Sequence, residues 1–306
     1  MTAAPSPRRC RPATTTSGWS CTRTSCARSA GHAAQRTGTE VIFSFFHEHG
    51  VAPRGLADLL GGKGAGLAEM TTTLRLPVPP GFTIAVPVCR EYRSGGWPES
   101  LDAELAENVR RLEERMGRGF GDPRDPLLLA VRSGAPRSMP GMLDTVLNLG
   151  LDDTTVEGLA TASGDPWFAW DSYRRFLTMY AGTVLGVPAG VLPEHRGDGS
   201  RDAARAKAEV RSIQAALESA GHPVPADPAA QLRGAVEAVF RSWDSARARA
   251  YRAREGIDEE LGTAVNVQAM VFGNRGSDSG TGVVFTRDPS TGIDQPFGDY
   301  LPCAQG

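Results

Sequence analysis

Three glycine-bearing segments hold the residues of this chain best suited to gripping an anion. The first is Gly61-Gly62-Lys63-Gly64-Ala65-Gly66-Leu67. Its glycines let the backbone come close to a ligand, the helix that follows presents free N–H groups, and Lys63 brings the compensating positive charge. The G-x-x-x-x-G-K-[ST] spacing of a P-loop is absent, so a plain turn at a helix start fits the same residues. The second runs from Arg132 through Ser133-Gly134-Ala135-Pro136-Arg137-Ser138-Met139-Pro140-Gly141 to Met142. A guanidinium grips phosphate oxygens in a fork that lysine cannot reproduce, although arginines simply solvated on a surface loop would look the same. The third begins at Gly273 and ends in Ser279-Gly280-Thr281-Gly282. Backbone N–H groups and the Thr281 hydroxyl there could close over a triphosphate, or the segment is only a flexible hairpin.

Such segments act only if elements hold them. Val41 to Phe46 reads as a buried strand, and the first glycine segment opens a helix to about Leu74, stopped by Pro77, Pro79, Pro80 and Gly81. Phe82 to Val86 is a short strand. Leu101, Leu105, Val109, Leu112 and Met116 recur at helical spacing and form a core stripe, not a site. Leu127 to Val131 is wholly apolar and ends abruptly at Arg132-Ser133-Gly134, which predicts a buried strand delivering a charge to a sheet end, where α/β proteins keep ligands. Helices are predicted for residues 167–185, 201–220 and 228–254. Thr263 to Phe272 and Gly282 to Arg287 read as two strands joined by the third glycine segment. The fold class expected is α+β, with a helical subdomain inserted at about 160–255.

The chain has 306 residues, 40% of them hydrophobic, enough for one substantial core or two smaller ones. A net charge of −2 gives no electrostatic reason to expect nucleic acid. No apolar run approaches the roughly 18 residues of a membrane span, and the N-terminus lacks the apolar stretch of a secretory signal, so a cytoplasmic location and no membrane partner are expected. Cys10, Cys21, Cys26, Cys89 and Cys303 form no C-x-x-C pair and suggest neither zinc nor disulfides. His32, His47, His49, His195 and His222 sit in no metal-ligand or nucleophile context. Lys63 and Lys207 are the only lysines among abundant arginines, which makes the placement of Lys63 informative. Residues 1–40 are rich in Arg, Ser, Thr, Ala and Pro, with no acidic residue before Glu40, and predict a disordered N-terminal extension. That composition also resembles an organelle transit peptide, but no amphipathic pattern supports one.

Residues 41–306 resemble the N-terminal, ATP-binding part of pyruvate, phosphate dikinase. The resemblance is carried by whole phrases in the family's order: Leu59 to Gly64, Val131 to Gly141, Met142-Leu143-Asp144-Thr145, Asn148-Leu149-Gly150-Leu151, Asp171 to Phe176, Val239 to Trp243, Gly262 to Asn274 and Thr286 to Gly292. The corresponding phrases of phosphoenolpyruvate synthase differ. The resemblance implies an ATP-grasp-type nucleotide-binding domain, incomplete at its C-terminus. It would serve the conversion of ATP, inorganic phosphate and pyruvate to AMP, diphosphate and phosphoenolpyruvate through a phosphohistidine on another domain. Carried over by position, Lys63 and Arg132 hold ATP phosphates, and Gly61, Gly62 and Gly64 belong with Lys63. Gly141 belongs to a second phosphate loop, Gln268 and Met270 to the adenine pocket, and Thr281 with Gly282 to a lid. Mg²⁺ is implied, with ligands expected beyond Gly306, so no metal ligand is assigned within the chain. Phosphohistidine and pyruvate-binding domains are implied as partners if they are encoded separately, instead of being lost by truncation or a broken reading frame, in a homodimeric parent enzyme. The alternative is a catalytically silent module that holds a nucleotide or a partner protein. A fragment too incomplete to fold stably is the third reading.

Overall fold

The computed structural model describes residues 40–195 and 200–305; the expected disordered extension, Glu40 apart, lies outside the described residues. In chain order the elements are β1 (Ile42–Ser44), α1 (Ala57–Ala68), β2 (Gly81–Ile84), α2 (Val86–Gly95), α3 (Leu101–Met116), β3 (Leu129–Gly134), β4 (Thr145–Leu149), α4 (Thr155–Ser163), α5 (Pro166–Thr183), α6 (Ala203–Ser219), α7 (Pro228–Ser242), α8 (Ala246–Glu255), β5 (Ala264–Ala269), β6 (Gly280–Phe285) and β7 (Phe297–Pro302). This is an α+β architecture.

Five strands form one sheet in the order β1-β2-β5-β3-β4. Every adjacent pair is antiparallel. The apolar run before Arg132 therefore does not mark a parallel strand. It is apolar because both faces of β3 are covered, by α1 on one side and α7 on the other, and burial on two faces removes the usual alternation in any sheet. Across an antiparallel sheet, paired residues share a face. The register aligns Phe43 with Thr83, Thr83 with Asn266, Asn266 with Arg132, and Arg132 with Thr145. This row lies on the α1 side, where Phe43 packs against the small apolar cluster around Leu60, Ala65 and Ala68. The alternate positions, among them Phe82, Val131, Val146, Val265 and Val267, face the main core with α2, α5 and α7.

The helices begin where local chemistry starts them. Asp165 and Asp227 accept hydrogen bonds from the first free amides of α5 and α7, and each is followed by a proline at the first helical position. The expected single helix over 228–254 is two, because Ser245 caps a new helix and accepts from the Ala248 amide. Helix α2 was not anticipated: it is only ten residues long and starts directly after β2. A second correction concerns the expected hairpin of β5 with the strand after it. β6 pairs with β7 instead, as a separate two-stranded ribbon.

Candidate functional site

The helix holding the first glycine segment is interrupted at its functional end. Gly61 adopts φ 68° and ψ 163° within α1, so the helix restarts at Gly62. A side chain there would be impossible: a Cβ on Gly61 would lie 1.4 Å from the Gly134 carbonyl oxygen. Gly64 is packed as tightly, its Cβ position falling 2.8 Å from Thr83 Oγ1 and 3.1 Å from Asn266 Oδ1. Gly61 and Gly64 are thus glycines so that the helix can lie directly on the sheet. Gly62 alone of the three lines the open cleft, and its N–H donates to the Ala135 carbonyl at 3.0 Å, tying the helix start to the second glycine segment.

Beneath this contact lies a buried polar pair that the sequence reading did not single out. Thr83 Oγ1 donates to Asn266 Oδ1 at 2.8 Å, with both residues at most 2% exposed, while Asn266 Nδ2 has no partner. The signal was available in Ala264-Val265-Asn266-Val267-Gln268-Ala269, whose alternation puts both amides on one face.

Lys63 bends its ammonium back to the sheet and donates from Nζ to the Ser133 carbonyl at 2.9 Å. Burial of that end is the main cause of a pKa below the ordinary lysine value, and the nearby Arg132 charge adds to it. The structure therefore brings Lys63 and Arg132 together on one face. Arg132 does not stand at a strand end as expected. It lies inside β3, opposite Asn266 and Thr145, with an exposed side chain.

Residues Ser133–Gly141, together with Gly62, Lys63, Leu143 and Thr145, enclose a cleft of about 540 Å³. Among the described residues no carboxylate lines it. Neither the Arg132 nor the Arg137 side chain makes a hydrogen bond or ion pair among the described residues. A second charged cavity, between α5 and α6, is built on the opposite plan: Arg174 and Arg175 both bind Asp171, and Arg201 binds Asp165. Its charges are compensated internally, whereas the first cleft has cations in its lining and no acidic side chain among the described residues.

The cleft loop is held from behind by the corner between α7 and α8. Met139 is buried against Trp243 and Ala248. The Asp144 amide donates to Ser242 Oγ at 3.3 Å, Arg247 Nε donates to the Met142 carbonyl at 3.0 Å, and the Arg247 guanidinium also pairs with the Asp144 carboxylate. These supports lie about a hundred residues from the loop they hold and carry no motif. Gly141 takes φ 71° with open space around its Cβ position, so it is a turn requirement at the cleft rim.

The remaining expected residues do not line this cleft. Gln268 Nε2 donates to the Pro79 carbonyl at 3.0 Å, and Met270 Sδ accepts from the Asn148 amide at 3.1 Å, at the other end of β5. Thr281 and Gly282 are not in a loop: both are inside β6, opposite Leu301 and Tyr300. The Gly276–Ser279 turn supplies the irregular backbone there instead.

The family model for the pyruvate phosphate dikinase AMP/ATP-binding domain matches residues 57–99 and 93–298. Pyruvate, phosphate dikinase of Rhizobium meliloti is 50% identical over 262 residues, covering 81% of this chain and 29% of the relative. That of Clostridium symbiosum is 48% identical over 265 residues, with 82% and 30% covered. Pyruvate, phosphate dikinase 2 of Zea mays is 46% identical over 289 residues, with 90% and 32% covered. The chain thus spans about 30% of the length of these relatives. An uncompensated cationic cleft where helix and strand glycines meet, on a chain matched from α1 into β7, leads to one conclusion: the chain belongs to the pyruvate phosphate dikinase family, to its AMP/ATP-binding domain.

Proposed function

We propose that this chain binds ATP as the nucleotide-binding part of a pyruvate, phosphate dikinase, with an ATP-grasp-type arrangement of the sheet. The observation that carries the reading is the cleft lined by Lys63, beside which Arg132 lies, with no carboxylate in its lining among the described residues. Lys63 and Arg132 would take phosphate oxygens, and preorganised positive charge is what stabilises phosphoryl groups in transfer. Gly62 and Gly141 would bring backbone close to the phosphates, while Gly61 and Gly64 would act by seating the helix. Gln268 and Met270 would lie on the base side. Met270 is four residues beyond Asn266, the partner of Arg132, and at roughly 3.3 Å per residue that is about 13 Å along the strand, a nucleotide's reach. Thr281 and Gly282 would act as a lid through the β6–β7 ribbon.

The overall reaction proposed is that of the family's named enzymes: ATP, inorganic phosphate and pyruvate would give AMP, diphosphate and phosphoenolpyruvate, in a homodimeric cytoplasmic parent. No helix among the described residues is long and apolar enough to cross a membrane. Mg²⁺ is implied by the family, but the donors in the cleft are cations, hydroxyls and backbone groups, and no cluster of three His, Cys, Asp or Glu is present among the described residues. These residues do not fit a divalent cation, and no step is assigned to one.

Thermal denaturation with ATP tests the proposal. Wild-type protein is expected to gain stability as ATP rises through its Kd, with about 2.7 kcal/mol at a hundredfold excess. Lys63→Ala and Arg132→Ala should each lose most of that gain. An equal gain in both variants would place the nucleotide elsewhere.

A further inference from the structure

Beside Lys63 the cleft lining holds a second cation, to which the family reading gives no role. Arg137 lines the same cleft as Lys63 and is exposed. It makes no ion pair, hydrogen bond or ring contact among the described residues. Most other described arginines have such a partner; Arg233, for example, binds Asp102 and Glu237 and lies over Trp97. An unpaired guanidinium facing a cleft without carboxylates is available for an anionic ligand.

Its backbone is nevertheless well fixed. On one side Ala135 accepts from the Gly62 amide. On the other, Met139 is buried against Trp243. The root of the Arg137 side chain is therefore held while its charged end stays free, so binding must order the side chain but not the loop that carries it. The hydroxyls of Ser138 and Thr145 line the same cleft.

The three cations are not equivalent in place. Lys63 and Arg132 lie close enough for one charge to perturb the other, with Lys63 anchored on the strand at Ser133. Arg137 extends from the loop beyond the strand end. An anion that engages Arg137 as well as the Lys63–Arg132 pair must bridge the strand and the loop after it, which a chain of phosphates suits better than a single one.

We propose that Arg137 is a specificity-determining residue that reads the charge of the nucleotide, taking its terminal phosphate so that the cleft favours a triphosphate over a monophosphate. This rests on the ATP-binding reading above. Because Arg137 has no side-chain partner among the described residues, replacing it should leave the protein folded with an unchanged thermal midpoint.

The test is calorimetric titration of the whole chain with ATP and, separately, with AMP, for wild type, Arg137→Ala and Arg137→Lys. Loss of a charge-assisted contact predicts ATP binding weakened about tenfold or more in Arg137→Ala. AMP binding should change by less than about twofold, and Arg137→Lys should recover part of the ATP affinity by restoring a point charge. Equal weakening for both nucleotides, or for neither, would overturn the assignment while leaving ATP binding intact. Wild-type protein that takes up neither nucleotide would instead remove the parent reading, and this inference with it.

Discussion

Within α1, Gly61 and Gly66 respond to an added methyl group in opposite ways. At Gly61 the backbone is left-handed and a Cβ would overlap the Gly134 carbonyl; at Gly66 nothing lies within 4 Å of the Cβ position. Gly61→Ala is expected to destabilise by roughly 3 kcal/mol or more, since strain and overpacking coincide. Gly66→Ala should stabilise by about 0.5–1 kcal/mol through the lower entropy of the unfolded chain. Urea unfolding of both variants checks this. Equal destabilisation would mean that the whole glycine segment serves close packing, as Gly61 and Gly64 do.

At the level of elements, the cleft depends on α8 as much as on the strand that bears Arg132. Arg247 bridges the Met142 carbonyl and the Asp144 carboxylate from outside the loop. It is half-exposed, with a side-chain accessibility of 52%, so its part in overall stability should be small, as for surface ion pairs generally. Its effect should be local. Arg247→Ala is expected to speed amide exchange at Met142 and Asp144 by about tenfold, equivalent to one lost hydrogen bond to a charged group, with β3 and β5 amides unchanged. Uniform acceleration across the sheet would assign Arg247 to the fold instead of the loop. Arg252, buried under Trp243 with its guanidinium over the indole, braces the same corner.

At the scale of the whole molecule, the five-stranded sheet and most of its helices share one core, whereas the β6–β7 ribbon stands apart. Val283, Val284, Tyr300 and Leu301 are all at least 60% exposed, and neither ribbon strand contributes to a buried cluster. A lone two-stranded ribbon is marginal in water. It is anchored at its root, where Asn274 is buried and Arg275 donates to the Ala162 carbonyl. Within residues 40–305, limited proteolysis should cut first at 283–301, and ribbon amides should exchange with opening energies of no more than about 1–2 kcal/mol. Protection equal to that of β5 would show that the ribbon's exposed face is covered in solution.

The chain's own order of residues determined which segments fold and what charge they bring. Periodicity marks α3, whose apolar stripe recurs at helical spacing. Lys63 is informative because lysine is so rare here, and phrases such as Val131 to Gly141 identify the family, since those patterns are local. Tertiary structure alone decided what those segments do to one another. Gly61 and Gly64 read as ligand-facing until the sheet lies against them, and Arg132 reads as a strand end until pairing with Asn266 extends β3. The partner of β6 was equally invisible, because strand pairing depends on distant residues of similar β-propensity. Arg247 and Trp243 support the loop across about a hundred residues of chain, and spacing along a sequence carries no record of such contacts. That the Arg132 and Arg137 side chains have no partner among the described residues belongs to this second class, because only the fold decides which carboxylates come within reach of a charge.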